Sequence, residues 1–473
     1  MQVFEGLVQW SPENELAPAL ATEWSISPDG RTYTFKIRVG VKFHNGAELT
    51  ADDFVFAINR CLNPRLGSPV ARTYLGDLVG AVDVLAGRAK TCAGVKAPDP
   101  HTLTLTIEQP KAYFLAKLTY PTFYAVCRSA VGEGGARIEY DHGFVGTGPF
   151  KLGEFRPSQS IRLDANPDYW DGAPKLQHIL RRIVVDAGTR HSMFETGALD
   201  IVDVSMADYR ADKQDPKLAP LMHTFERPSV FYLALNQRAF APFRDRRVRQ
   251  AFAHAIDKQA VIDTVFLGLP KRAEGYVPQG VPGYDPEFKG LQLDPARARR
   301  LLAEAGYPGG RGMPPLEIFV RANSPDLRRT CETVVADLKR NLGLDVAVRE
   351  LEWGVFLDKR GKGEMPFYFL RWAADYLDPQ NFLSLMLRSD APENTLGYRN
   401  PEFDRLCDAA DVMQDQTKRL ATYRRAEAIA VQDCPWIPLY FQRDIELWNP
   451  RLRGVDDSLM GHLPHKHTYL ESE

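Results

Sequence analysis

The first hundred residues alternate apolar and polar side chains in the way that is typical of half-buried β-strands. Tyr33, Phe35 and Ile37 alternate with polar residues and so share one face of a predicted strand. The Asp-Gly pair at 29–30 precedes this strand, and such pairs favour tight hairpin turns. A second alternating run at 103–108 follows a Pro-rich turn. The pattern therefore predicts a β-rich front part of the chain.

From about residue 240 the apolar positions take the spacing of helices that alternate with strands. Val248, Phe252 and Ala255 form one buried stripe. Asp294 followed by Pro295 is a helix-start signal, because an N-cap carboxylate precedes proline at the first helical position. Two further predicted helix boundaries are an N-cap at Thr50 or Asp52 before a helix at 53–62, and a helix end at Gly343. Pattern alone predicts an α/β protein and no particular function.

Length and charge narrow the class of protein. A chain of 473 residues is too long for one hydrophobic core, so we expect two or three lobes. The net charge of −2 gives no general attraction to nucleic acid or anionic lipid. No apolar stretch approaches the 18 or so residues that a membrane-spanning helix requires.

The chain starts with an amphipathic, strand-like segment at 1–8. This segment has neither the basic nor the apolar region of a signal peptide. From that start we expect either a cytosolic protein or a chain that begins downstream of a removed or wrongly assigned segment.

Motifs for catalysis are missing from the sequence. There is no Gly-x-Ser-x-Gly elbow, no His-Glu-x-x-His pair and no Gly-x-x-x-x-Gly-Lys-Ser/Thr loop. The glycine cluster at 132–135 is interpreted as a loop rather than a phosphate cradle, and the acid pairs at 52–53 and 456–457 as helix-start and surface charges. We therefore predict a protein that is not an enzyme and has no cofactor.

Several segments in fixed order resemble the family 5 extracellular solute-binding proteins, the oligopeptide-, dipeptide- and nickel-binding group. Each segment alone is weak, but the set is specific and extends from the first residues to about residue 445. The main matching segments are Phe4-Glu5-Gly6-Leu7, Ser27-Pro28-Asp29-Gly30, Gly40 to Gly46, Leu49 to Phe54, Val145 to Phe150, Asn166 to Trp170, Gly197 to Ile201 and Arg371-Trp372-Ala373-Ala374-Asp375-Tyr376.

The resemblance implies an α/β fold of the periplasmic-binding-protein type, class II, cluster C, with two α/β lobes joined by a hinge. The first lobe is expected to comprise residues 1–44, 161–228 and 441–473, without the family's usual N-terminal strand. A β-rich lobe is expected as an insertion at 45–160, and the second α/β lobe at 229–440.

The resemblance also implies a ligand site between the lobes, where an extended peptide is held mainly through its backbone. Asp375 aligns with the carboxylate that binds the peptide ammonium, and charge-assisted bonds of this kind are strong. The competing interpretation is that Asp375 caps the turn before Pro379. Phe369 aligns with a relative's cleft arginine, so binding of a peptide carboxylate at that position is not expected. The other candidate ligand-binding residues are Trp372, Ala374, Tyr376, Glu5, Leu7, Phe231 and Tyr232.

The implied function is the substrate-binding component of an ABC importer. The expected partners are a peptide or other small solute and the permease and ATPase subunits, with no nucleic acid. The protein is expected to be a monomer, peripheral to the membrane on its periplasmic or extracellular, membrane-anchored face. Alternatives are a binding protein for a nickel chelate, sugar or opine, and a peptide-binding chaperone without a transport role.

Histidine and cysteine residues leave further alternatives open. His462, His465 and His467 could form a metal site, but their spacing fits no standard zinc pattern, so we predict an exposed tail and no metal. Six cysteines allow 15 disulfide connectivities, which the sequence does not distinguish. With three cysteines in each of two predicted lobes, we expect at most two disulfides and at least one free thiol in each lobe.

Overall fold

The computed structural model describes residues 2–131 and 144–472. The glycine cluster at 132–135 lies outside these residues. The chain divides into two compact units, which we call the first unit (Met1–Val202, Val412–Gln414 and Leu447–Glu473) and the second unit (Asp203–Asp411 and Asp415–Glu446). The boundaries predicted for an inserted lobe within the first unit stay a prediction.

The first unit is rich in short strands. Its elements up to residue 195 are β1 (Val8–Trp10), β2 (Leu16–Pro18), β3 (Ala21–Ile26), β4 (Thr32–Ile37), α1 (Ala51–Leu62), α2 (Ala71–Leu75), α3 (Ala81–Leu85), β5 (Val95–Asp99), β6 (Thr102–Thr106), α4 (Phe114–Lys117), α5 (Arg128–Val131), β7 (Phe150–Arg156), β8 (Ser160–Ala165), β9 (His178–Arg182) and α6 (Ala187–Glu195). The strand β10 (Ile201–Asp203) spans the boundary between the units.

Two antiparallel sheets organise the first unit. One has the order β3-β4-β6-β5, and the other has the order β7-β8-β9. The predicted apolar face of β4 is confirmed, because Tyr33, Phe35 and Ile37 are all buried. Helix α1 begins after Thr50, whose N–H and hydroxyl both donate to the Asp53 carboxylate, at 2.9 and 3.1 Å. The N-cap is therefore Thr50 and not Asp52.

The second unit alternates helices and strands, as the apolar pattern predicts. Its elements are α7 (Met206–Asp212), β11 (Met222–Leu235), α8 (Arg246–Ala255), α9 (Lys258–Phe266), β12 (Lys271–Arg272), α10 (Pro295–Glu304), β13 (Leu316–Arg321), α11 (Pro325–Leu342), β14 (Val346–Leu351), α12 (Trp353–Lys362), β15 (Phe367–Ala373), α13 (Ser384–Leu387), α14 (Pro401–Val412), α15 (Gln416–Asp433) and β16 (Trp436–Trp448). The chain then returns to the first unit as β17 (Leu452–Arg453), β18 (Asp457–Ser458), β19 (Gly461–His462) and β20 (Tyr469–Leu470).

One mixed sheet forms the centre of the second unit, in the order β10-β16-β11-β15-β13-β14, with β12 also paired to β16. Its buried side chains, among them Leu233, Ile318 and Phe367, pack against apolar side chains of α8 to α11 in one hydrophobic core. The predicted helix boundaries are confirmed: the Asp294 carboxylate accepts the N–H of Arg297 at 2.9 Å, and α11 ends at a left-handed glycine at 343. The long strand β15 lies beside β11 and ends at the segment that contains Asp375.

Candidate functional site

Asp375 lies two residues beyond Ala373, the last residue of β15, where that strand leaves its pairing with β11. The register places Trp372 opposite Val230, and the N–H of Ala374 donates to the carbonyl of Pro228 at 2.8 Å. The ladder ends there, and the chain turns away at the half-buried Asp375. The end of a strand therefore holds the predicted ammonium-binding residue at a fixed position.

The side chain of Asn381 joins two of the candidate residues, Trp372 and Asp375. Its Oδ1 accepts the indole N–H of Trp372 at 3.0 Å and the backbone N–H of Asp375 at 3.2 Å. The carbonyl oxygen of Asn381 also lies 2.9 Å from the same indole nitrogen. Asn381 is fully buried, so these bonds form away from water and fix both the indole plane and the backbone of Asp375.

A buried ion pair holds the base of this segment. Asp378 is the N-cap of the short 3-10 helix Pro379–Asn381, and its carboxylate accepts the N–H of Gln380 at 2.9 Å. The same carboxylate binds Arg419 of α15 through two parallel bonds, of 2.6 and 2.9 Å. Asp378 caps the 3-10 helix that begins at Pro379, and the competing interpretation of Asp375 as a cap of the turn before Pro379 stays a prediction.

Arg419 keeps its charge in this buried position. Burial by itself lowers the pKa of its guanidinium, but the adjacent Asp378 carboxylate outweighs that effect and raises the pKa above its ordinary value. The sequence reasoning missed Asp378, Asn381 and Arg419. The Asp-Pro pair at 378–379 signals a turn, but no local signal indicates that α15 supplies the partner.

The remaining candidates beside β15 differ in their surroundings. Tyr376 is buried, and its hydroxyl donates to the side chain of Gln380. Tyr232 is also fully buried, and its ring stacks on Trp436 with the ring centres 3.9 Å apart. Ala374 is buried as well. The structure therefore places Tyr376 and Tyr232 in the core of the second unit, and their roles as ligand contacts stay predictions.

Phe231 lies on the opposite face of the sheet from Tyr232, because neighbouring residues of a strand point to opposite sides. Its ring is half-buried and packs against Tyr440, with the ring centres 4.7 Å apart, and against Phe369 at 5.8 Å. Phe231 also lines a cavity of about 340 Å³ within the second unit. Its aromatic surface is therefore available to a small apolar group.

Glu5 and Leu7 lie in the first unit, and both are buried. The Glu5 carboxylate accepts three side-chain donors: the hydroxyl of Thr147 at 2.7 Å, the hydroxyl of Tyr169 at 2.7 Å and the indole N–H of Trp170 at 3.2 Å. Burial raises the pKa of Glu5, and the three donors oppose that shift. Because both carboxylate oxygens are engaged, Glu5 ties the N-terminal segment to two loops of its own unit.

The C-terminal histidines each contact a different partner. His462 and His467 pair with Asp457 and Asp456, at 2.9 and 2.7 Å. His465 is buried, and its ring lies 3.1 Å from the Thr468 hydroxyl. The prediction of an exposed tail is therefore wrong for His465, which packs into the first unit. Within residues 2–131 and 144–472, no three His, Cys, Asp or Glu side chains are arranged to hold a metal ion.

The six cysteines, at positions 61, 92, 127, 331, 407 and 434, are all free thiols, and all but Cys61 are buried. This agrees with the expectation of at most two disulfides and a free thiol in each predicted lobe. Among the described helices, none combines the length and the apolar character needed to cross a membrane.

Comparison with known proteins gives matches over nearly the whole chain. Residues 15–394 match the profile of the bacterial extracellular solute-binding proteins, family 5 Middle. Heme-binding protein A of Haemophilus influenzae is 32% identical, and the match covers 98% of this chain and 85% of that protein. The periplasmic oligopeptide-binding protein OppA of Salmonella typhimurium is 31% identical, with 96% of this chain and 84% of that protein covered.

A solved structure extends the likeness to the fold. The Escherichia coli murein tripeptide binding protein MppA is 27% identical and superposes with a TM-score of 0.87, covering 100% of this chain and 93% of that chain. This likeness confirms the fold class predicted from the sequence resemblance.

Proposed function

Because the chain belongs to the bacterial extracellular solute-binding proteins of family 5, we propose that it captures short peptides for an ABC importer and that Asp375 binds their ammonium group. The observation that carries this proposal is the position of Asp375. The half-buried Asp375 lies two residues beyond the end of β15, with its backbone fixed by the buried Asn381. An ammonium group that leaves water needs an opposite charge at such a place.

The rigid support of Asp375 matters for affinity. Asn381 holds both Trp372 and Asp375, and the Asp378–Arg419 pair holds the turn that contains Asn381. A carboxylate that is already in place loses little conformational entropy when a ligand binds. The indole of Trp372 then forms an apolar wall next to the charge, while Glu5 is proposed to position the N-terminal segment rather than to contact the peptide.

Capture is proposed to work through a shift between two conformations of the protein. A ligand that binds one conformation more tightly shifts the two populations by its difference in affinity for them. The permease would recognise the liganded conformation, and the ATPase subunits would supply the energy. We propose that the protein acts as a monomer at the periplasmic or extracellular face of the membrane, where it is anchored.

The test is calorimetric titration of trialanine and of N-acetyl-trialanine into the wild type and the Asp375→Asn variant. Loss of the charge partner is expected to weaken trialanine binding by at least about thirtyfold, since truncating one partner of a buried charge pair costs about 2–5 kcal/mol. Acetylation is expected to weaken binding to the wild type similarly, and to have little further effect on the variant.

The matched control is Asp345→Asn, because Asp345 is a carboxylate of the same unit with 84% of its side chain exposed. Its trialanine affinity is expected to equal that of the wild type. Equal affinity of Asp375→Asn and the wild type for trialanine would exclude Asp375 as the ammonium site. If neither peptide binds to the wild type, the proposal that this protein captures peptides is wrong.

Heme binding is a second candidate function, favoured by the match to heme-binding protein A over 98% of the chain. The test is titration of hemin into the wild type, with the Soret absorbance as the readout. A saturable shift of the Soret band together with no trialanine binding would favour heme, whereas trialanine binding without a Soret shift would favour peptide.

A further inference from the structure

The cavity beside Phe231 lies entirely within the second unit and has a volume of about 340 Å³. Ligand pockets commonly have volumes of about 300–1,000 Å³, so this cavity lies at the small end of that range and has room for one long side chain. Its lining is largely apolar and includes Phe266, Leu269, Leu327 and Tyr440. It lies on the face of the sheet that carries Phe231 and Arg371, which are opposite each other in the pairing of β11 with β15.

Three aromatic residues line the cavity, and the ring of Tyr440 contacts the rings of the other two. The ring of Tyr440 lies 4.7 Å from that of Phe231 and 4.8 Å from that of Phe266, measured between ring centres. Aromatic faces attract both the methylene groups and the charged end of a cationic side chain. The wall therefore suits a long side chain that carries a positive charge.

The polar groups of the lining are mostly satisfied by the protein itself. The guanidinium of Arg443 pairs with Glu226, with Nε 2.7 Å from the carboxylate. The side-chain oxygen of Gln442 accepts bonds from Ser229 and Arg371, at 2.8 and 2.7 Å. The positive charge of Arg443, which is part of the lining, therefore already has a carboxylate partner.

Asp326 is a lining residue whose charged group, unlike that of Arg443, has no such partner among the described residues. In the part of the chain that the structure describes, its half-buried carboxylate forms no hydrogen bond or ion pair, although Arg329 attracts it from a greater distance. Burial raises the pKa of Asp326, which means that its charge is not fully compensated. Asp326 lies in the first turn of α11, where the helix dipole favours a negative charge. The helix dipole alone does not explain why this carboxylate lines an aromatic cavity.

We propose that this cavity binds the side chain of a lysine or arginine residue of the captured peptide, with the cation on Asp326 and the methylene groups on the aromatic wall. The assignment rests on the proposed peptide function and adds a substrate preference to it. A cation supplies the partner that the carboxylate lacks, and the apolar stem of lysine or arginine covers Phe231, Phe266 and Tyr440.

The experiment measures calorimetric affinities of tripeptides that carry lysine at the first, second or third position of trialanine. Each is compared with the peptide that carries norleucine, an uncharged residue of similar length, at the same position. For at least one position the wild type is expected to prefer lysine by about tenfold or more, as is usual for hydrogen bonds to charged groups. Asp326→Asn is expected to abolish that preference, and the exposed control Asp345→Asn to retain it.

The outcomes separate this inference from the function on which it rests. If trialanine binds but the wild type shows no lysine preference, or if Asp326→Asn keeps the preference, the cavity assignment is wrong and peptide capture stands. If no peptide binds, both are wrong. The comparison of lysine and norleucine peptides with the wild type alone can overturn the inference. The test therefore does not depend on whether the variant folds. Circular dichroism of Asp326→Asn checks that its fold is intact.

Discussion

The ion pair between Asp378 and Arg419 allows a quantitative test of how the segment around Asp375 is held. The two side chains are 6% and 0% exposed and form two bonds, of 2.9 and 2.6 Å. Asp378→Ala removes the carboxylate from a guanidinium that cannot reach water. Breaking a buried pair in this way costs about 3–5 kcal/mol, which is a large part of the 5–15 kcal/mol that stabilises a typical domain.

Removing both charges is expected to lower the free energy of unfolding less than removing one of them. In the double variant Asp378→Ala with Arg419→Met, an apolar side chain replaces the guanidinium and no buried charge remains, so the main loss is the N-cap, about 1 kcal/mol. The coupling energy between the two positions is therefore expected to be at least about 2 kcal/mol.

The assay is urea-induced unfolding, followed by circular dichroism and by tryptophan fluorescence, with trialanine affinity as a second measurement. The control is Asp390→Ala, which removes a carboxylate with 71% of its side chain exposed. Exposed pairs contribute about 0–1 kcal/mol. Equal destabilisation by Asp378→Ala and Asp390→Ala, or strict additivity in the double variant, would refute the reasoning.

Two further predictions concern buried carboxylates. Burial raises the pKa of Glu427 from 4.5 to about 7, against two backbone N–H groups that donate to one of its oxygens. Between these pH values the folded state retains a proton that the unfolded chain has lost, so the free energy of unfolding falls as the pH rises, by up to about 3 kcal/mol. Glu427→Gln keeps an oxygen that can accept both N–H groups but cannot titrate. The free energy of unfolding of this variant, measured by urea unfolding at pH 4.5 and above pH 7, is therefore expected to depend less on pH than that of the wild type. An equal pH dependence in the two proteins would contradict the prediction. Glu5→Gln is expected to lower the free energy of unfolding of the first unit by about 1–2 kcal/mol, because an amide cannot accept all three donors. The same variant is expected to change trialanine affinity less than Asp375→Asn does, and a larger change would assign Glu5 to the ligand site.

The sequence predicted those features whose causes lie within a few residues of one another. The helix start at Asp294 and the helix end at Gly343 depend on short-range hydrogen bonds and on backbone conformation, and both are confirmed. Of the two caps that the sequence offered for α1, the structure has Thr50, and the helix begins at Ala51 rather than at residue 53. The alternating strand at 32–37 is confirmed for the same reason, because its period is a local property.

The supports of the candidate site could not be predicted in this way. Arg419 is 41 residues from Asp378, and Tyr169 is 164 residues from Glu5. Such pairs depend on how the elements pack, and a single sequence contains no local signal for them. The tail is a similar case: the fixed position of His465 depends on its backbone N–H, which donates to the side chain of Gln2 at 3.0 Å.

Two carboxylates three residues apart have different surroundings in this structure. Arg419 binds the carboxylate of Asp378, which therefore serves the fold, while Asn381 accepts the backbone N–H of Asp375. A fixed backbone holds a carboxylate in place before a cationic group binds, so less conformational entropy is lost on binding. This is the physical basis on which we propose Asp375 as the ammonium site and Asp326, in the first turn of α11, as the site of a cationic side chain.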